Sequence, residues 1–139
     1  MQLYDNTLGQ WLEYWAEESP DKEYIVYSDR NLRFTWKQLN RRVDDMAKGL
    51  ISIGITKGTH VGIWATNVPD WLTLLYACSK IGAVYVTVNT SYKQSGLEYL
   101  CKDSDMHTLC TKSLSFSPST MQSVGISESL QRYSNSDCL

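Results

Sequence analysis

The chain has 139 residues, 42% hydrophobic and 12% aromatic, which supports one domain with a real core and argues against a disordered chain. Its formal net charge is −2 and its pI near 5.6, with basic residues scattered and no cluster denser than Arg41-Arg42. That distribution disfavours a nucleic-acid backbone or an anionic membrane as partner, and no stretch approaches the roughly 20 apolar residues of a membrane span.

Taken in order, "TLGQWLEYWAEESP" opens a helix. Thr7 and Gln10 fit a capping box, Leu8, Trp11, Leu12 and Trp15 share one face, and Pro20 ends the element. "EYIVYSDRNLRFT" reads as a hairpin: an apolar run from Tyr24 to Tyr27, a polar turn at Ser28-Asp29-Arg30-Asn31, then Leu32 and Phe34. In "FTWKQLNRRVDDMAKGLISIG", Thr35 caps with Gln38 answering, and Phe34 and Leu39 are spaced for a hydrophobic staple. Trp36, Leu39, Val43, Met46, Ala47, Leu50 and Ile53 form the apolar stripe, and Gly54 supplies a left-handed stop. Lys37, Arg41, Arg42, Asp44, Asp45 and Lys48 read as a solvated opposite face.

After the turn "ITKGT", "HVGIWAT" (60–66) is a short apolar strand. "NVPDWLTLLYACSKIG" follows as a helix capped by Asn67, with Pro69 and Asp70 in its first turn and Gly82 closing it. Trp71, Leu74, Leu75, Cys78 and Ile81 are its expected inner face. "VYVTV" (84–88), uncharged and β-branched, is expected to be a strand covered on both faces. A third helix starts at Ser95 with Glu98 completing a capping box, carrying Leu97, Leu100 and Cys101 inward, and "MHTLC" (106–110) is the next strand. Strand–helix–strand with short joins gives parallel strands, and the order β-α-β-α-β is half of a doubly wound sheet. The fold class is therefore α/β: a partial doubly wound parallel sheet preceded by a helix and a β-hairpin. Residues 111–139 hold nine serines and no sustained period, and read as a disordered tail.

Common catalytic signatures are missing from these residues: no phosphate loop, no G-x-G-x-x-G, no G-x-S-x-G and no H-E-x-x-H. "GITKGTHVG" precedes its strand instead of joining strand to helix, which speaks against a phosphate cradle. His60 and His107 each stand alone at a strand start and read as packed or edge histidines. Asp44-Asp45 diverge by about 100° on a helix, and Asp103 and Asp105 fall in a turn, so neither is a carboxylate pair. Cys78, Cys101, Cys110 and Cys138 form no C-x-x-C and have no histidine at ligand spacing; the first three read as buried free thiols. Ligands of open α/β sheets gather beyond the carboxyl ends of strands, here "TNVPDW" (66–71) and "NTSY" (89–92). Asn67 and Asn89 are the polar residues at those ends, with capping the simpler role for Asn67.

From "RFTWKQL" to "VYVTVNTSY" the sequence resembles the N-terminal region of the adenylate-forming, AMP-binding enzymes, most closely the acyl-CoA synthetases acting on fatty acids. "FTWKQL" (34–39) is similar to the family's first core motif, and "SKIGAVYVTVN" (79–89) to its second, a Gly-Ala-x-Tyr-x-x-x-Asn/Asp pattern. Gly58-Thr59-His60-Val61-Gly62 is similar to the Gly-Asp-x-Val strand start, with Thr59 in place of the common Asp. The resemblance implies a reaction using ATP, Mg and CoA: a carboxylic acid becomes an acyl-adenylate, and the acyl group passes to CoA. It also implies an ATP loop ending in Pro-Lys-Gly, which "TKSLSFSPST" does not supply, so no catalytic, cofactor-binding or metal residue is carried over.

The resulting expectation is an N-terminal fragment, residues 1–110, of an AMP-dependent synthetase/ligase domain, inactive and binding no cofactor alone, with 111–139 a divergent tail. The break at Thr111 fits a changed reading frame or an alternative splice end. Two other readings stand beside it: an interaction module that docks on a full-length ligase or self-associates through the strand edge at 106–110, and a small nucleotide-binding α/β protein. An acidic, leaderless start and the lack of an apolar span make the expected location cytoplasmic.

Overall fold

The structure, a computed structural model, describes residues 5–111. The expected tail, and with it Cys138, lies outside the described residues. In chain order the elements are α1 (Leu8–Glu18), β1 (Glu23–Tyr27), a 3-10 turn (Ser28–Arg30), β2 (Leu32–Thr35), α2 (Trp36–Ser52), β3 (His60–Trp64), α3 (Pro69–Ile81), β4 (Val84–Thr87), α4 (Gln94–Asp103) and β5 (Thr108–Thr111). The described residues divide into two compact units, one of residues 5–56 and 69–82, the other of 57–68 and 83–111.

The first unit holds three helices and the hairpin. Both expected capping boxes form: the Gln10 N–H donates to Thr7 Oγ1 and the Gln38 N–H to Thr35 Oγ1, while each glutamine side chain accepts the cap's own N–H. Two orphan amides per helix end are thus satisfied. β1 and β2 pair antiparallel, with Tyr27 opposite Leu32, and Asn31 closes the turn in the left-handed region at φ 50°. Two strands alone are marginal in water. Here the ribbon is held by an aromatic ladder: Tyr24 stacks on Trp36 at 3.6 Å, Trp36 on Trp15 at 6.0 Å, and Tyr14 meets Trp15 edge-on at 5.2 Å. Each such contact adds about 0.5–1.5 kcal/mol beyond the area it buries. The Tyr24 and Tyr76 hydroxyls, 2.9 Å apart, tie β1 to α3.

Leu39, Val43, Ala47 and Leu50 are the buried positions of α2, as its stripe requires. The polar face is less simple than a solvated one. Lys37, Arg41, Asp45 and Lys48 are exposed, but the Arg42 guanidinium lies over the Phe34 ring, 5.1 Å from its centroid, and donates to Asp70 Oδ1 at 3.1 Å. Asp44 accepts from Lys80 Nζ at 2.7 Å. These two residues turn toward α3 because it presents the opposite charge to each.

Lys80 is the hub. Its side chain is only 11% exposed, and Nζ donates to Asp44, to Asn40 Oδ1 at 2.8 Å and to Glu13 Oε1 at 2.8 Å, joining α1, α2 and α3. Burial pushes its pKa down, but its hydrogen bonds to Asp44 and Glu13 and their charges outweigh it and hold it above the ordinary lysine value. In α3 itself Thr73, Leu74, Ala77 and Cys78 are buried, whereas Trp71, Leu75 and Ile81 keep partial exposure. The inner face is thus rotated toward the small residues. Pro69 begins the helix, so Val68 rather than Asn67 stands in front of it.

The second unit is a three-stranded parallel sheet in the order β4-β3-β5, with His60 opposite Val84 and Val61 opposite Thr108. The expected parallel arrangement is present, with β3, buried from Val61 to Trp64, as its centre. β4 is not covered on both faces: Val84 is 42% exposed and Thr87 is exposed, because β4 ends the strand order among the described residues. α4 begins at Gln94 after Lys93, with no side-chain cap bond, so Ser95 lies inside the first turn and the expected box with Glu98 does not form. Trp64, Val88, Leu97, Cys101 and Leu109 make the core of this unit, with Leu100 and Met106 packed on it. Gly62 admits that packing. A Cβ there would overlap Met106 Sδ and lie 2.9 Å from Leu109 Cδ1.

Lys80→Met keeps the aliphatic stem and deletes the charge. The expected loss is about 1.5–3 kcal/mol, toward the lower end because Glu13 and Asp44 are half-exposed, read as a lower urea midpoint. A raised folded-state pKa contributes stability fully below the unfolded lysine value and loses it as pH rises through the folded one. The gap between wild type and K80M should therefore stay flat over roughly pH 6–9 and narrow only in more alkaline solution. Gly62→Ala should cost about 1–3 kcal/mol by overpacking, and Met106→Ala in the same chain should return part of it; a neutral G62A melt would count against the packing described.

Candidate functional site

The sequence points to the carboxyl ends of the strands, and the topology sharpens that location. The chain enters the sheet at its centre, adds β4 on one side, then crosses to β5 on the other, so the order reverses between β3 and β5. Such a reversal opens the crevice in which doubly wound sheets bind ligands. The residues at the ends are modestly equipped. Thr66 and Asn67 are exposed. Asn89 Oδ1 accepts the Ser91 N–H at 2.9 Å, closing its own turn, and Tyr92 beside it is 44% exposed. The Asp70 carboxylate is held by Arg42.

A Mg–ATP centre does not fit the described residues. Among them no group of three or more His, Cys, Asp and Glu side chains could hold a metal ion. Asp44 and Asp45 point to different partners, Lys80 and Lys48, and Asp105 sits in a left-handed turn at φ 47°, with no second carboxylate beside it in the hollow it lines. No reaction step is therefore routed through these side chains.

The two histidines, read separately from the sequence, are neighbours. The His107 N–H donates to the His60 carbonyl at 3.1 Å where β5 joins β3. His60 Nδ1 bonds the Ser104 carbonyl; an oxygen that only accepts fixes the ring proton on Nδ1. Lys57, Gly58, Thr59, His60, Asp105 and His107 line a concavity of about 310 Å³ at the amino ends of β3 and β5. Lys57, within the glycine-containing turn before β3, and Asp105, set apart from Asp103, are each weighed separately in the sequence, which does not foretell that they share one hollow.

The thiols are free, as expected, with Cys78 and Cys101 buried and Cys110 partly so. Burial raises the Cys101 thiol, and burial of the Cys110 sulfur pushes it up to about 11, although other atoms of that residue reach solvent. A thiol held protonated is a poor nucleophile and a poor metal ligand.

Comparison with known proteins places this scaffold. The profile of the AMP-binding enzyme family matches residues 12–136, so the chain belongs to the AMP-binding enzymes. The match runs past residue 110 into the serine-rich segment. The chain is 47% identical over 108 residues to "Putative acyl-CoA synthetase YngI" of Bacillus subtilis (strain 168), covering 78% of this chain and 20% of that protein. It is 38% identical over 100 residues to the human mitochondrial medium-chain acyl-CoA ligase ACSF2, covering 72% of this chain and 16% of that one. The chain thus spans about a fifth of the length of these relatives. Among solved structures, the N-terminal domain of FACL13 from Mycobacterium tuberculosis superposes with a TM-score of 0.76 at 25% identity, over 86% of this chain and 29% of that one. The o-succinylbenzoate CoA synthetase MenE of Bacillus subtilis shares the fold at a TM-score of 0.81 and 21% identity, over 96% and 34%. Among the described residues no helix is long and apolar enough to cross a membrane.

Cys78, Cys101 and Cys110 should resist iodoacetamide at pH 7.5 in the native chain and react fully in denaturant, as mass spectrometry of the alkylated peptides would read. Rapid native labelling of Cys110 would contradict its raised pKa.

Proposed function

We propose that this chain is the N-terminal part of an acyl-CoA synthetase and contributes scaffold rather than reacting groups. Residues 1–110 supply the first strands and helices of the AMP-dependent synthetase/ligase domain, and 111–139 form its divergent tail. The reaction of the whole enzyme is ATP-dependent activation of a fatty or other carboxylic acid to the acyl-adenylate, followed by transfer to CoA. One observation carries this reading. The chain aligns at 47% identity with a protein named as an acyl-CoA synthetase, yet it spans only 20% of that protein. What it holds is core: the apolar stripe of α2, the central strand β3 and the Lys80 hub. The glycine-rich loop with its lysine expected of the reaction does not occur in the sequence, and among the described residues no acidic cluster could hold a metal ion.

Two measurements test the proposal together. Pyrophosphate–ATP exchange with medium- and long-chain fatty acids should show no turnover by the chain alone. Residues 12–110 substituted for the matching segment of the Bacillus subtilis relative should give a folded chimera that makes acyl-CoA within about tenfold of the parent rate, since no group touching substrate is exchanged. Exchange activity in the isolated chain, or a folded but inactive chimera, would overturn it.

A further inference from the structure

The concavity at the amino ends of β3 and β5 lies at the other end of the sheet from the switch-point crevice, so it has no part in the reading above. Its lining is chemically biased. Both histidines of the chain are in it, together with one lysine, one hydroxyl and one carboxylate. They come from two segments, 57–60 and 105–107, that meet only because β5 pairs with β3. Gly58 takes φ 84°, a left-handed turn that brings Lys57 and Thr59 to the same hollow. A volume near 310 Å³ is at the small end of ligand cavities, about 300–1,000 Å³, and suits one compact molecule.

The lining favours an anion with a second polar handle. Lys57 offers a charge-assisted donor and His107, exposed, a second donor. His60 keeps its neutral-state proton on Nδ1 for Ser104, so its Nε2 becomes a donor only when the ring takes up a second proton. The charged and titratable groups facing His60 are Lys57 from the preceding turn and Asp105 and His107 from the segment before β5. Asp105 repels a bare anion but accepts a hydroxyl proton. We propose that this cavity binds a phosphorylated sugar, Lys57 and the histidines taking the phosphate and Asp105 a sugar hydroxyl.

The chain's two histidines make the test direct, since only two imidazole Cε1–H signals exist to follow by NMR. Titration of the 139-residue chain with ribose 5-phosphate should move both signals saturably. Lys57→Gln should weaken binding about tenfold, the weight of one charge-assisted hydrogen bond. Asp105→Asn should erase the preference for ribose 5-phosphate over inorganic phosphate. Both positions are exposed, so neither substitution threatens the core. No saturable shift, a response to ribose alone, or K57Q binding like wild type would overturn the site. Equal affinity of the wild type for inorganic phosphate would overturn its assignment to a sugar ester.

Discussion

Parallel pairing of β3 with two neighbours governs the second unit. A strand flanked on both sides by parallel partners uses all its backbone groups in the ladder and must be buried on both faces. β3 meets that demand with Val61, Gly62, Ile63 and Trp64, all buried. One consequence is the bare Cα of Gly62, which leaves room for Met106. Another is the crossing of the chain from β4 over to β5. That crossing fixes where polypeptide must turn, and the hollow at the amino ends of β3 and β5 follows from it.

Much of this was legible in the sequence because the signals are local. Thr7/Gln10 and Thr35/Gln38 are capping boxes whose partners lie three residues apart, and both form. The hairpin turn and the glycine stops at Gly54 and Gly82, which have φ of 92° and 75°, depend on a few neighbouring residues. Failures arose where a distant partner decides. Arg42 and Asp44 look like surface charges until α3 brings Asp70 and Lys80 to them. Ser95 and Glu98 have capping-box spacing, but α4 is capped at Lys93, two residues too early to use it. β4 has the composition of a central strand and stands at an edge among the described residues, since strand order is not written in any one strand.

The functional end of the molecule shows the same division. The strand-end residues Asn67 and Asn89 can be found by locating turns after apolar runs, yet neither gathers other polar groups in a way the sequence foretold. The hollow lined by Lys57, His60, Asp105 and His107 could not be found that way, because about 45 residues and a whole strand separate its halves. Among the described residues the legible signals are mostly those of core and caps, and few polar side chains stand at the strand ends.

The Lys80 hub bears on how the chain acquires its shape. Glu13 on α1 and Asp44 on α2 converge on one point, and the cation that joins them is supplied 36 residues after Asp44. Without α3 the two acids have no counter-charge between them, and the join of α1 to α2 rests on contacts such as the Trp15–Trp36 stack. The third helix thus supplies the one cation that turns two like charges into a bond between the first two.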